Sequence, residues 1–277
     1  YFLRAYCYFT LVRVFGDCPL LTSGFESEKQ EDMYPSRTAA SEVYAQVETD
    51  IEEALRLMPA SSKLLHKASP AAINMLRTEY YLWKAKRLGG GNAALSTAQS
   101  SVDAVLKAGY ALLPTFADIF NLNNEANSEL IWTLPYIVNE NVTPGTSPNF
   151  FAYYLAPNGD RTRLREAGYT EDEVPAGSHA QYVVPTQAYC DFLAEDARDT
   201  RTDVSVRVFE DKFLTEEVQI KRMVVKFKGS FANDTRSFDS DVPVYRLAEA
   251  YLLKAEAENA LGNTDAALQN LNVVAKR

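Results

Sequence analysis

The chain has 277 residues, 47% of them hydrophobic and 23% charged. That is enough for one large or two small domains with a real core, and too apolar for a disordered polypeptide. Its 28 lysines and arginines against 37 aspartates and glutamates leave a net charge of −9 with no basic block. This argues against nucleic acid or an anionic membrane surface as partner and leaves neutral ligands such as sugars open.

No apolar run of about 18 residues is present to span a bilayer as a helix. Three cysteines make no disulfide framework, and the two histidines, His66 and His179, leave little material for a His-based metal site or a Ser-His triad. The chain starts at Tyr1 without Met or signal peptide, and both ends read as mid-helix. An interior stretch of a longer protein is therefore the expectation.

Residues 1–15 are apolar almost all round, which predicts a core helix, stopped by Gly16-Asp17-Cys18-Pro19. An amphipathic helix is expected near 42–58, with Val43, Val47, Ile51, Ala54, Leu55 and Met58 on one stripe. Ser41 is its candidate N-cap, Pro59 its end, and Glu52 with Arg56 an i,i+4 pair. A third helix starts at Ser69-Pro70, runs through Tyr80 and Trp83 to Leu88, and breaks at Gly89-Gly90-Gly91. A fourth runs from about Asn92 to Lys107.

Residues 110–240 change character, with clustered prolines and short apolar runs at Leu130–Leu134 and Val218–Phe227 that read as strands. The charged stretch Asp196–Asp203 lies between them as a connector. Helical pattern returns over 243–277, broken at Gly262-Asn263.

The two helical pairs resemble each other. Tyr81-Leu-Trp-Lys-Ala leads to Leu88-Gly89 and then Asn92-Ala-Ala-Leu95. Tyr251-Leu-Leu-Lys-Ala leads to Leu261-Gly262 and then Asp265-Ala-Ala-Leu268. A helix, a tight Gly turn and an Ala-rich helix follow tetratricopeptide logic, in which small residues let a hairpin close. The alternative is a coincidence between two ordinary hairpins.

Five segments in order carry a wider likeness: Arg4–Leu20; Arg37–Pro59; Phe116–Phe120 followed by Asn127–Ile131; Pro185-Thr-Gln187 with Asp199-Thr-Arg201; and Asp241–Ala257. Together they make the chain resemble the SusD/RagB family of outer-membrane nutrient-binding lipoproteins. Cys18 stands where that family usually carries an aliphatic residue. The resemblance implies a surface-exposed binding protein that captures a glycan or peptide and hands it to a SusC-type TonB-dependent transporter. It implies no catalysis and no cofactor, and membrane attachment through a lipid on an N-terminal Cys that this chain does not contain.

For ligand contact one segment stands out. Asn149, Phe150, Phe151, Tyr153, Tyr154 and Arg161 lie between Pro- and Gly-rich turns, with four aromatics in five residues. Aromatic faces stack on the C–H faces of sugars, while Asn and Arg hydrogen-bond the hydroxyls. The alternative is that these rings pack the loop onto the helices. Tyr34 and Tyr182 are weaker candidates of the same kind. The oxygen-rich Asn233–Asp241 lacks EF-hand spacing, and Gly89-Gly90-Gly91 follows a helix and lacks the Lys-Ser/Thr of a phosphate loop. No metal site and no catalytic residue is assigned.

The expected fold is one mainly α, SusD-like domain across 1–277, truncated at both ends. Tetratricopeptide-like hairpins in 1–109 and 241–277 carry an irregular loop and short-strand insertion at 110–240. A tetratricopeptide-type scaffold that binds a partner peptide or protein is the rival reading, although a solenoid array would repeat at about 34 residues without such an insertion.

Overall fold

The computed structural model of the chain describes residues 1–24, 34–60, 63–137, 140, 154–155, 168–170, 176–177, 184–211, 219–232, 235–237 and 239–276. The helices among them are α1 (Phe2–Phe15), α2 (Ala40–Leu57), α3 (Pro70–Arg87), α4 (Gly91–Leu106), α5 (Gln187–Ala194), α6 (Arg201–Ser205), α7 (Leu247–Ala260) and α8 (Thr264–Ala275). The strands are β1 (Leu130–Leu134), β2 (Tyr154–Leu155), β3 (Ala176–Gly177), β4 (Val206–Asp211), β5 (Gln219–Val224), β6 (Ser230–Ala232), β7 (Thr235–Ser237) and β8 (Val242–Arg246). The fold is mainly α with short strands. It divides into one unit of Tyr1–Tyr110 with Tyr245–Lys276, and a second of Ala111–Val244.

The first unit is a stack of helices, each packed on the next in the order α1, α2, α3, α4, α7, α8. α1 ends at Gly16, which takes a φ of 68° that a side chain would resist. The expectation of an all-round core helix is corrected here. Phe2, Ala5, Phe9 and Val12 are buried, while Leu3, Leu11, Val14 and Phe15 on other faces are exposed.

Of the predicted stripe α2 buries Val43, Val47, Ile51 and Ala54, while Leu55 and Met58 are only half-buried. Ser41 is not its cap. The helix opens at Ala40, whose N–H donates to Asp17 Oδ1 at 2.8 Å, so a carboxylate from the connection after α1 caps α2. The expected Glu52–Arg56 pair is likewise replaced. Arg56 pairs with Glu53, and Glu52 accepts from Arg77 Nε of α3 at 2.7 Å.

α3 starts as its sequence predicts. Ser69 Oγ accepts from Ala72 N at 3.2 Å, and Pro70 takes the first helical position. Gly89 and Gly91 carry positive φ, and the chain reverses into α4. Gly90 has ordinary helical backbone but no room: a Cβ there would lie 2.8 Å from Ala94 Cβ. Gly90→Ala should lower stability by about 1–3 kcal/mol through overpacking of the turn. An unchanged urea midpoint would show that the turn relaxes at no cost.

The repeated segments meet in this unit. Leu82 of α3, Leu95 and Ala98 of α4 and Ala257 of α7 form one buried cluster, flanked by Tyr81, Ala85, Leu253 and Leu261. Ala98 and Ala257 are wholly buried, which is the close approach that small residues permit. Polar ties frame the cluster. Gln99 Nε2 donates to Glu258 Oε1 at 2.7 Å, Lys86 pairs with Glu256, and Lys254 pairs with Asp103. Two hairpins of like sequence thus stack on each other.

The second unit is built from short elements. β4 and β5 pair antiparallel from Val206↔Val224 to Asp211↔Gln219. β6 and β7 form a hairpin, and β2 pairs parallel with β3. Cys190 and Leu193 of α5 pack with Val206 of β4. Phe116, Phe120 and Phe227 stack edge to face around Lys226, whose Nζ lies 4.5 Å from the Phe120 ring centre.

Candidate ligand-binding surface

Asn149, Phe150, Phe151, Tyr153 and Arg161 lie outside the described residues, as does Tyr182. Tyr154 is described by its backbone alone, opposite Ala176 in the β2–β3 pair. The structure does define the two roots from which the stretch 137–184 springs.

At the first root, β1 runs into Pro135-Tyr136, and Asp241 clamps it. Tyr136 N donates to Asp241 Oδ1 at 3.0 Å and Thr133 Oγ1 to Oδ2 at 3.3 Å. The Asp241 N–H in turn donates to Glu125 Oε1 at 2.8 Å. At the second root, Arg222 of β5 donates through Nε to the Pro185 carbonyl at 2.9 Å and through Nη1 to Gln187 Oε1 at 3.0 Å. Thr186 Oγ1 then caps α5 by accepting from Tyr189 N at 3.2 Å. Both roots are fixed by charge-assisted hydrogen bonds within the second unit, the framework a binding loop requires.

α5 adds a feature that the sequence reading passed over. Its helical period turns Cys190 and Leu193 inward and leaves Tyr189 48% and Phe192 62% exposed. These rings stand three residues apart on one face, while on another side of the helix Gln187 Nε2 donates to Asp191 Oδ1 at 2.7 Å. The legible signal was Thr186 as N-cap with aromatics at i and i+3. Tyr34, by contrast, is 91% exposed.

Other polar clusters are spoken for. Of the oxygen-rich stretch, Asp239 accepts from Ser230 N at 2.7 Å and Ser230 Oγ at 2.8 Å, and Asp241 clamps β1. A cavity lined by Phe120, Glu125, Phe227 and Asp241 holds about 10 Å³, room for one water and no sugar. The open cleft along α1 and α2, of about 770 Å³, is lined by Arg4, Asp50, Glu53 and Arg56, which pair with one another.

The segments behind the family likeness have visible scaffold roles. Arg4 binds Asp50, and Asp17 caps α2. Asn127 Nδ2 donates to the Asn124 carbonyl at 2.9 Å, and buried Glu129 accepts from Leu113 N at 3.0 Å. Asp199 accepts from both the backbone and the guanidinium of Arg201.

Comparison with known proteins places this framework. Residues 1–81 match a SusD-like family described as starch-binding and associating with the outer membrane, and residues 211–277 match the SusD family. SusD-like protein P25 of Formosa agariphila is 27% identical over 307 residues, a match that covers 100% of this chain and 54% of that protein. The chain thus spans about half the length of the curated relatives it matches. A SusD superfamily protein from Bacteroides vulgatus superposes with a TM-score of 0.80 at 28% identity, covering 98% of this chain and 56% of that one. NanU of B. fragilis does so with a TM-score of 0.74 at 27% identity, covering 94% and 54%. With family matches towards both ends and one fold shared along nearly its whole length, the chain belongs to the SusD/RagB family.

Proposed function

We propose that this chain captures oligosaccharide at the outer membrane and passes it to a SusC-like TonB-dependent transporter. The observation that carries the reading is the aromatic segment 149–161 on a stretch clamped at both roots, by Asp241 and by Arg222. The starch-binding description of the family matched over residues 1–81 supports the same ligand class. In this reading Phe150, Phe151, Tyr153 and Tyr154 offer ring faces to the apolar faces of sugar rings. Asn149 and Arg161 hydrogen-bond the hydroxyls and fix orientation. Binding occurs without turnover. Attachment to the membrane is through an N-terminal lipid on a Cys outside this sequence.

Calorimetric titration with a panel of neutral oligosaccharides tests the reading. A parent affinity that falls at least about tenfold in Tyr153→Ala/Tyr154→Ala, a loss of about 1.4 kcal/mol, is the expected result. The variant's melting temperature should stay at that of the parent. Unchanged affinity removes this segment from the site, and hydrolysis of any oligosaccharide removes the binding-only assignment.

A further inference from the structure

In the second unit aromatic rings are spent on packing. Phe116, Phe120 and Phe227 stack edge to face, and Tyr169 stands edge-on to Phe209. Tyr189 and Phe192 of α5 depart from this pattern. They are the two exposed aromatic side chains described in this unit. Among the described residues neither ring stacks on another or faces a cation, and Tyr189 Oη has no hydrogen-bond partner. Their spacing of three residues makes them neighbours on the helix surface, with Cβ atoms roughly 5–6 Å apart.

A hydrogen-bond donor stands at the same place. Thr202 Oγ1 of α6 donates to the Leu193 carbonyl at 2.5 Å, which pins the start of α6 to the last turn of α5. Arg201, the residue before it, is exposed, and Asp199 holds its guanidinium from one side, accepting from Nε at 2.8 Å and from Nη2 at 2.5 Å. Those hydrogen bonds raise the guanidinium above its ordinary pKa, and the Tyr189 hydroxyl lies near enough to add to the rise. Nη1 has no protein partner among the described residues. Two rings of at most about 150–250 Å² each fall well short of the roughly 800 Å² a side that a stable protein interface buries. Ring faces beside an oriented N–H donor instead suit a sugar, whose C–H faces stack while its hydroxyls accept. We propose that Tyr189, Phe192 and Arg201 form a set of sugar contacts additional to the segment 149–161, taking adjacent rings of a neutral oligosaccharide. The proposal rests on the oligosaccharide reading above and adds side chains on α5 and α6 to it.

The test is calorimetric titration of the full-length protein with maltohexaose, cellohexaose, xylohexaose and mannohexaose. Tyr189→Ala/Phe192→Ala should weaken whichever of these the parent binds by about tenfold. Its melting temperature should match the parent's, because both side chains are exposed. Tyr189→Phe/Phe192→Tyr keeps both ring faces and should keep the parent affinity, whereas Tyr189→Leu/Phe192→Leu keeps only apolar bulk and should lose it. Parent affinity in the alanine or leucine variant overturns the proposal and leaves the oligosaccharide reading standing. Binding of none of the four sugars by the parent overturns both. A parent dimer by light scattering that the alanine variant turns into a monomer overturns the proposal too, by making the occupant a second copy. If the alanine variant fails to fold, the parent still decides: its Tyr189 and Phe192 ring-proton signals, assigned from the single leucine variants, should shift on titration, and unmoved signals overturn the proposal.

Discussion

Arg4→Ala is expected to destabilise the helical unit by about 3 kcal/mol or more, because it strands a buried carboxylate. Asp50 of α2 has a side chain only 1% exposed. It accepts from Arg4 Nε at 2.7 Å and Nη2 at 2.6 Å, and from Gln46 Nε2 at 3.0 Å. The planar guanidinium matches the carboxylate bidentately, which a lysine cannot do. Arg4 Nη1 also donates to the Thr22 carbonyl at 3.0 Å, so the same side chain pins the connection that follows α1. Removing Arg4 leaves Asp50 with one neutral donor and no counter-charge. Removing both charges is a different matter, since an apolar pair of similar volume can be nearly neutral. Urea denaturation of Arg4→Ala, Asp50→Leu and the Arg4→Met/Asp50→Leu double variant therefore forms an informative set. The double variant should recover most of the loss. An Arg4→Ala midpoint equal to that of the parent would mean that water replaces the guanidinium at Asp50.

The helical unit was largely legible, and the reason is periodicity. Val43, Val47 and Ile51 repeat at helical spacing, Ser69-Pro70 announces a start, and Gly89 and Gly262 announce stops. The errors there were those of partner choice. Ser41 lost the cap of α2 to Asp17, and Glu52 left Arg56 for Arg77, because three-dimensional neighbours compete with sequence neighbours. The second unit was less legible. α5 is eight residues long, β6 and β7 are three each, and none holds enough residues for a period to stand out. The family was legible for a related reason. Arg4, Asn127, Glu129, Thr186, Asp199 and Asp241 bind backbone or buried partners at fixed places, so their spacing travels with the fold. Ring faces offered to a ligand carry no such spacing. The i, i+3 spacing of Tyr189 and Phe192 is legible after Thr186, but their exposure follows from α5 turning Cys190 and Leu193 inward, and the segment 149–161 stands out by composition alone.

Stability should fall as pH rises from about 5 to about 8, the reverse of ordinary acid denaturation, because the helical unit buries two carboxyl groups that resist ionisation. Burial pushes the Glu249 carboxyl up to about 7, with Glu79 adding repulsion and Arg246 partly offsetting it. Burial also raises Glu79, against the pull of its hydrogen bond from Tyr245 and the charge of Arg13. Tyr245 Oη donates to Glu79 Oε2 at 2.7 Å, and Tyr6 of α1 stands edge-on to Tyr245 with ring centres 6.2 Å apart. In the unfolded chain both acids ionise near pH 4.3. Below that pH neither state gains from the difference. Between it and about 7 the native state holds protons that the unfolded state has released, so each further pH step favours unfolding. For Glu249 the full span corresponds to on the order of 3 kcal/mol. Glu48 does not mask the effect. Burial opposes its charge, but hydrogen bonds from Lys84, Tyr80 and Tyr81 prevail and hold it below the usual carboxylate range, so it stays ionised throughout the window. Glu249→Gln should flatten the dependence and leave the variant more stable than the parent at pH 8. Glu79→Gln, which still accepts from Tyr245, should lower the pH at which Glu249 titrates. Urea midpoints measured across the window, with the Glu249 carboxyl followed by carbon NMR, decide the matter. A midpoint constant from pH 5 to 8 would mean that Glu249 is already ionised in the fold.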